Sequence, residues 1–380
     1  MKNKISVCFL INTLNVGGAE RQLFELVRHV NKGQFSITVV VLRNEGSLLD
    51  NVRACEDVRM LSLDQQGRWD FLRPLWKLYQ HLKRVDPKVI HAFLPSANFF
   101  AFVAGSLLGN RCVIWGIRAS YLDLSAYSWP MRLLVPLNAR LSKGVDCIVY
   151  NSHAGRKYHE AHGYTGKRVS VVPNGIDTEC FSPQPQIREL ERHKLGLFND
   201  TPVIGMVGRI DRNKDHHTFL EAASILHETM PETRFLLIGS GEEKLLRRLK
   251  KKMGELCLDG VVYWLGLRND VYRLLSLLDI NTSTSIGEGF PNAVAEAMAC
   301  GVPCVVTDVG DSADIVGDTG FVVPSRNPQA LAKAWRNLLQ MSFDERCRLG
   351  EKARKRVIDN FSLEKVIPMY EELYKELCAE

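Results

Sequence analysis

Short apolar runs recur along the chain, separated by amphipathic stretches. In the first half the runs are Ile5–Ile11, Ile37–Leu42, Val58–Leu63, Val89–Ala92, Cys112–Ile117, Cys147–Tyr150 and Val169–Val172. The second half repeats the rhythm with Val203–Val207, Arg234–Ile238, Val261–Leu265, Asp279–Thr282, Cys304–Thr307 and Gly320–Val323. Between them, stretches such as Ala19–Val30 and Leu72–Arg84 space their apolar residues as helices do. Strands that are apolar throughout and alternate with helices belong to parallel sheets covered on both faces. Two such series predict an α/β chain of two doubly wound domains. The junction is expected near Asp177–Thr201, where Pro183, Pro185 and the charged stretch Arg188–Lys194 interrupt the alternation. Leu363–Cys378 reads as a final helix with no strand after it, free to pack on either domain.

Composition fits this picture. At roughly 150 residues per domain, 380 residues suggest two or three domains. A content of 46% hydrophobic and 24% charged residues is that of a soluble globular protein with large cores. No stretch approaches the ~20 apolar residues that cross a bilayer. The longest candidate, Ala97–Gly109, contains Asn98 and Ser106 and reads as a buried helix. Met1–Lys4 followed by Ile5–Ile11 reads as a first strand rather than a leader, because no small-residue cleavage pattern follows. Ten cysteines are scattered through the chain without a CxxC pair, and Cys300 and Cys304 have no histidine nearby. Reduced core cysteines are the reading, and a cytosolic location the expectation.

The net charge of +6 is uneven: residues 1–170 hold 23 Lys and Arg against 12 Asp and Glu. A basic half points to an anionic partner, whether phosphate-bearing substrate, nucleic acid or membrane surface. The cations are dispersed and form no recognised motif, which argues against nucleic acid. Tyr121–Lys143, with Tyr127, Trp129, Arg132 and Arg140, mixes aromatic and basic side chains. That mixture suits a membrane interface, and equally a solvated face over an ordinary core helix.

Three segments carry candidate chemistry. Asn15–Glu20, with Gly17 and Gly18, joins the first strand to the first helix. Its amides could approach an anion at the helix N-terminus, or the glycines could simply make a tight turn. Val207–Asp215 is the matching turn of the second half, with Gly208 ending a strand and Asp215 placed to cap the next helix. Arg209 and Lys214 would then flank a strand C-terminus, where open α/β sheets bind ligands. There they could hold phosphate oxygens, or be two solvated loop cations. Arg212 reads as a spectator.

Ile286–Gly301 is the most informative stretch. Pro291 suits a first helical turn, Gly301 a helix end, and Pro303 lies beyond. Glu288 is thereby placed in a loop and Glu296 on a short helix among Ala293, Ala295, Ala297 and Ala299. A carboxylate in that setting should meet polar ligand groups such as paired sugar hydroxyls, or else cap a neighbouring element. The free amides at the helix start are available to a diphosphate.

With these segments placed, nearly the whole chain resembles the GT-B glycosyltransferases of family 4, the retaining glycosyl transferases group 1 class. The marks are Gly17-Gly18-Ala19-Glu20, Val172-Pro173-Asn174-Gly175-Ile176-Asp177, Val207-Gly208-Arg209 with Lys214, and Glu288 through Glu296 to Pro303 in an E-x7-E pattern. The resemblance implies two Rossmann-like domains facing a central cleft. Residues 1–180, joined by a returning C-terminal helix 363–380, would take the acceptor, and residues 199–362 the nucleotide-sugar. Catalytic roles would fall to Arg209, Lys214, Glu288 and Arg118. Donor contacts would fall to Gly17, Gly18, Gly208, Gly239, Gly289, Phe290, Pro291, Asn292 and Glu296, with Glu296 on the ribose. His91 and Asn151 would lie on the acceptor side. No metal or cofactor is implied, and a UDP-sugar is favoured.

The expected acceptor is a saccharide or lipid-linked saccharide in polysaccharide, lipopolysaccharide or other glycoconjugate synthesis, with peripheral contact to an anionic membrane. One departure stands out. Many members place a histidine after the strand that here reads Cys112–Ile117, and this chain has Arg118. Arginine cannot act as a base at neutral pH, but it could bind an acceptor phosphate or assist the leaving group electrostatically. Two alternatives follow: an inactive nucleotide-sugar-binding subunit, or a GT-B-like nucleotide-sugar epimerase.

Overall fold

The computed structural model describes residues 4–67, 70–118, 120 and 129–379. The chain divides into two compact units, residues 1–175 with 363–380, and residues 176–362.

The first unit is built on seven strands: β1 (Ile5–Ile11), β2 (Phe35–Val41), β3 (Val58–Ser62), β4 (Val89–Phe93), β5 (Cys112–Ile117), β6 (Cys147–Tyr150) and β7 (Arg168–Val171). They form one parallel sheet in the order β3-β2-β1-β4-β5-β6-β7. The order reverses between β1 and β4, which pair from Val7 with Val89 to Leu10 with Ala92. A doubly wound sheet takes ligands just beyond its strand C-termini at such a switch point. One apolar layer sits beneath the helices Gly18–His29 and Leu363–Ala379. The other lies under Leu72–Val85 and Pro95–Leu108. Burial on both faces explains why these strands read as unbroken apolar runs.

The final helix belongs to this unit. Leu363, Val366, Ile367, Tyr370, Leu373, Tyr374 and Leu377 recur at helical spacing and are all buried against the core around β1. Pro368 lies inside the helix without ending it.

The second unit has six parallel strands: β8 (Val203–Val207), β9 (Arg234–Ile238), β10 (Val262–Gly266), β11 (Ile280–Ser283), β12 (Cys304–Thr307) and β13 (Gly320–Val323). Their order is β10-β9-β8-β11-β12-β13, so the switch point lies between β8 and β11. Trp335, fully buried, donates from Nε1 to Thr282 Oγ1 at 2.8 Å and fixes the helix Pro328–Gln340 to β11.

The junction differs from the sequence expectation. The chain passes from the first unit to the second at Gly175, so residues 176–180 leave the first domain, and residues 181–198 are not a linker. Pro185–Lys194 is a helix whose Arg192 is fully buried. Arg192 donates to the Leu277, Asn199 and Thr201 carbonyls and, at 2.7 Å, to Asp279 Oδ2. Arg188 takes the other Asp279 oxygen at 2.6 Å. Arg188, Glu191 and Arg192, which interrupt the apolar alternation in the sequence, are thus paired inside the second unit. At the return crossing, Ile176 N donates to Phe361 O at 2.8 Å, which holds the outgoing and returning stretches of chain side by side.

Candidate functional site

In the second unit, the turns after β8 and β11 meet at the switch point. Asp211 begins the first turn by accepting from Lys214 N at 3.1 Å. Asp215, at φ 45°, then caps the helix His216–His227, taking Thr218 N at 3.3 Å and Thr218 Oγ1 at 2.6 Å. These two caps direct Lys214 across the turn. Opposite it, Thr284 Oγ1 donates to the carbonyl of Lys214 at 2.8 Å, and Ile286 N to that of Asn213 at 2.7 Å. The two turns are thereby laced together through backbone.

Their side chains then meet. Lys214 Nζ donates to Glu288 Oε1, and Ser285 Oγ donates to the same oxygen at 2.6 Å. Both ends of the pair remain partly accessible, with 23% of the Lys214 side chain and 12% of the Glu288 side chain exposed. Arg209 differs. Its side chain is 79% exposed and only Nε is engaged among the described residues, with Asp211 Oδ2 at 2.9 Å. The site thus presents one half-buried ammonium, one nearly free guanidinium and a carboxylate held by two donors. Arg212 is exposed beside them.

Two glycines shape the backbone here. Gly310, at φ +59°, lies so close to the Glu288 turn that a Cβ would sit 2.1 Å from the Glu288 carbonyl oxygen. Gly239, at φ +144°, would place a Cβ 1.9 Å from the Gly208 carbonyl oxygen. Gly239 therefore sets the Gly208–Arg209 turn, a support that follows from backbone approach alone. At Gly208 itself a Cβ would only touch the Lys214 stem at 3.4 Å.

The helix after Glu288 runs from Asn292 to Ala299, with Pro291 as the residue before it and Asp311 N bonded to Gly289 O at 3.2 Å. Pro291 therefore stands at the N-cap position, one residue before the first turn. The Phe290 ring is buried and meets Phe361 edge-on, centroids 5.4 Å apart. The Phe290 side chain thus anchors the core. Glu296 is 3% exposed, within the small-residue helix. His216 is buried beside the turn, with its pKa lowered to about 4 by burial.

In the first unit, the residues expected at the acceptor side are placed otherwise. His91 lies in mid-strand, 0% exposed, with Nδ1 against Tyr374 Oη at 2.8 Å. Burial first, and the Arg118 charge second, hold it neutral, well below the usual histidine range. With no accessible surface it cannot touch an acceptor, so that expectation is corrected. Asn151, just past β6, is also buried. Ser152 caps the helix His153–Ala161, accepting from Gly155 N at 3.0 Å.

Arg118, just past β5, is tethered. Its Nη1 donates to Asn174 Oδ1 at 3.1 Å and its Nη2 to Tyr370 Oη at 2.7 Å. Its guanidinium carbon stands 4.8 Å from the Phe93 ring centre and 5.9 Å from that of Tyr370. Through these two bonds the partly exposed Arg118 joins the end of β5 to Asn174 and to the final helix. Gly17 precedes the helix Gly18–His29, and Gln22 of that helix exchanges two 2.8 Å bonds with the Gly175 backbone. Asp211, Ser285, Gln22 and Gly310 were not singled out by sequence. Only Ser285 had a visible signal, a polar run at a strand end.

The comparisons with known proteins agree with this architecture. Residues 187–356 match the family Glycosyl transferases group 1, and residues 16–180 match Glycosyltransferase Family 4. N-acetyl-alpha-D-glucosaminyl L-malate synthase of Bacillus anthracis is 32% identical over 308 residues, covering 78% of this chain and 76% of that protein. The UDP-Gal:alpha-D-GlcNAc-diphosphoundecaprenol alpha-1,3-galactosyltransferase of Escherichia coli is 25% identical, covering 81% and 80% respectively. The crystal structure of Anabaena Alr3699/HepE in complex with UDP-glucose superposes with a TM-score of 0.85 at 20% identity, over 98% of this chain and 100% of that one. Two doubly wound units, paired Lys214 and Glu288 at the second switch point, and these matches identify the chain as a member of glycosyltransferase family 4, the glycosyl transferases group 1 class, with the GT-B fold.

Proposed function

We propose that the chain transfers a sugar from a UDP-sugar to a saccharide or lipid-linked saccharide, with retention of anomeric configuration. The carrying observation is the Lys214–Glu288 pair at the β8/β11 switch point, with the exposed Arg209 beside it. A nucleotide diphosphate is the ligand that two cations on the turn after a strand C-terminus would neutralise. As the bond from the anomeric carbon to the diphosphate oxygen breaks, its electrons pass to the diphosphate, where Arg209 and Lys214 offset the growing charge. The acceptor hydroxyl forms the new bond on the face being vacated, and its proton leaves with the diphosphate. Charge arranged in advance of the reaction in this way commonly lowers a barrier more than any other single effect.

Glu288, fixed by Ser285 and Lys214, would hold a donor-sugar hydroxyl, and Glu296 the ribose. The UDP reading draws on the Escherichia coli relative and the Anabaena complex, whose names specify UDP-Gal and UDP-glucose. The lipid-linked acceptor draws on that same relative's diphosphoundecaprenol substrate. Neutralisation by side chains makes a divalent metal unnecessary in this reading.

Replacing Arg209, Lys214 or Glu288 with alanine should lower transfer by roughly 100-fold or more, with circular dichroism unchanged. Excess EDTA should leave the wild-type rate intact. Turnover that survives all three substitutions would overturn the assignment. Donor incubated without acceptor should yield no epimerised sugar, which separates transfer from the epimerase alternative.

A further inference from the structure

One helical layer of the first unit turns apolar side chains outward. The helix Trp129–Leu141 buries only Asn138 and Ala139. Trp129, Leu133 and Leu137 are exposed at spacings of four residues and form one stripe, with exposed Arg132, Pro136 and Arg140 alongside. A helix resting on a soluble core normally presents the opposite face. The helix Leu72–Val85 buries Pro74, Leu78 and Leu82, yet leaves Leu72 84% and Trp76 64% exposed. Pro95–Leu108 packs against both helices and exposes Leu107 near its end.

Charge on this layer has one sign. The three helices contain no Asp or Glu, and they carry Arg73, Lys77, Lys83, Arg84, Arg132 and Arg140. Among the described residues, Lys77 is paired with Asp64, which lies outside the layer. An apolar stripe among cations, on helices that themselves contain no carboxylate, complements a surface that is apolar beneath and anionic at its rim. A second copy of the chain fits worse, because two all-cationic faces would repel.

We propose that this three-helix layer seats the first unit on an anionic lipid bilayer. The sequence points to the basic first half and to Tyr121–Lys143, of which residues 121–128 lie outside those described; the helix Leu72–Val85 supplies a second leg. The inference is compatible with a lipid-linked acceptor but does not rest on the donor site, so its failure would leave that reading standing.

Vesicle flotation of the full chain tests it. The protein should float with phosphatidylcholine vesicles containing phosphatidylglycerol at low salt, and much less with phosphatidylcholine alone or at high salt. Leu133→Glu with Leu137→Glu should weaken partition roughly tenfold or more. Lys83→Glu with Arg84→Glu, at exposed positions that the core does not use, should weaken it roughly fivefold per charge removed. Both variants should keep the circular dichroism spectrum and melting temperature of the wild type, which separates lost docking from lost folding. Wild-type protein that stays in solution with anionic vesicles overturns the proposal, as does equal binding to neutral ones or binding unchanged in both variants. A dimer in sedimentation that the Leu133/Leu137 variant breaks would likewise overturn it, by assigning the face to a second copy.

Discussion

Lys214 and Glu288 stand 74 residues apart in sequence and meet because two strand ends adjoin at a reversal of strand order. Their half-buried pair is more than a surface ion pair, since removing either partner leaves a confined charge without compensation. The pair also depends on a residue with no side chain. Gly310 lets the segment after β12 press on the Glu288 backbone at a φ that L side chains rarely adopt. Gly310→Ala should therefore displace the Glu288 turn, cost about 1–3 kcal/mol of stability, and lower kcat/KM further than the stability loss explains. Gly208→Ala is the matched control, because its new methyl would meet only the flexible Lys214 stem at 3.4 Å. Steady-state kinetics with thermal melts of both variants check this. Equal kcat/KM for the Gly310 variant and the wild type would remove Gly310 from the account of the site.

At the level of elements, the C-terminal helix Leu363–Ala379 completes the first unit, and its polar tips do so specifically. Tyr374 Oη is the partner of buried His91, and Tyr370 Oη that of Arg118. His91 Nε2 has no partner already. Tyr374→Phe would leave both ring nitrogens of a fully buried imidazole unpaired, at a cost of about 1–3 kcal/mol. Denaturant melts should find that loss in the first unit; an unchanged midpoint would mean the hydrogen bond is dispensable. Strands such as Ile5–Ile11 and Cys112–Ile117 were legible because burial on both faces leaves no polar alternation to blur their limits. Pro185–Lys194 was not, because a buried Arg192 looks the same in sequence as a solvated one. His91 misled for a related reason: the apolar run Val89–Ala92 placed it near a strand end, whereas the strand continues to Phe93 and the imidazole serves the returning helix. Gly310 carried no sequence signal, since close backbone approach leaves no pattern along the chain.

On the scale of the whole molecule, each unit has its own sheet and its own pair of apolar layers. Every residue proposed to hold the diphosphate lies in residues 176–362, whereas the His91–Tyr374 contact lies in the other unit. Ligand stabilisation should therefore report on one unit and the tyrosine substitution on the other. UDP at 100 times its dissociation constant adds about 2.7 kcal/mol to the state that binds it. For a unit of this size that is a rise of roughly 5–10 °C in its melting temperature. Calorimetry of the wild type should resolve a transition that UDP moves by this amount and a second that it leaves in place. Tyr374→Phe should lower only the second. GDP and ADP at matched concentrations rank the base preference in the same measurement, and a larger shift with either would displace UDP as the proposed donor nucleotide. If UDP moved neither transition, the Lys214–Glu288 site would not be a nucleotide site. If both moved together, the two cores would melt as one cooperative body, and a donor bound in the second unit would stabilise the first as well.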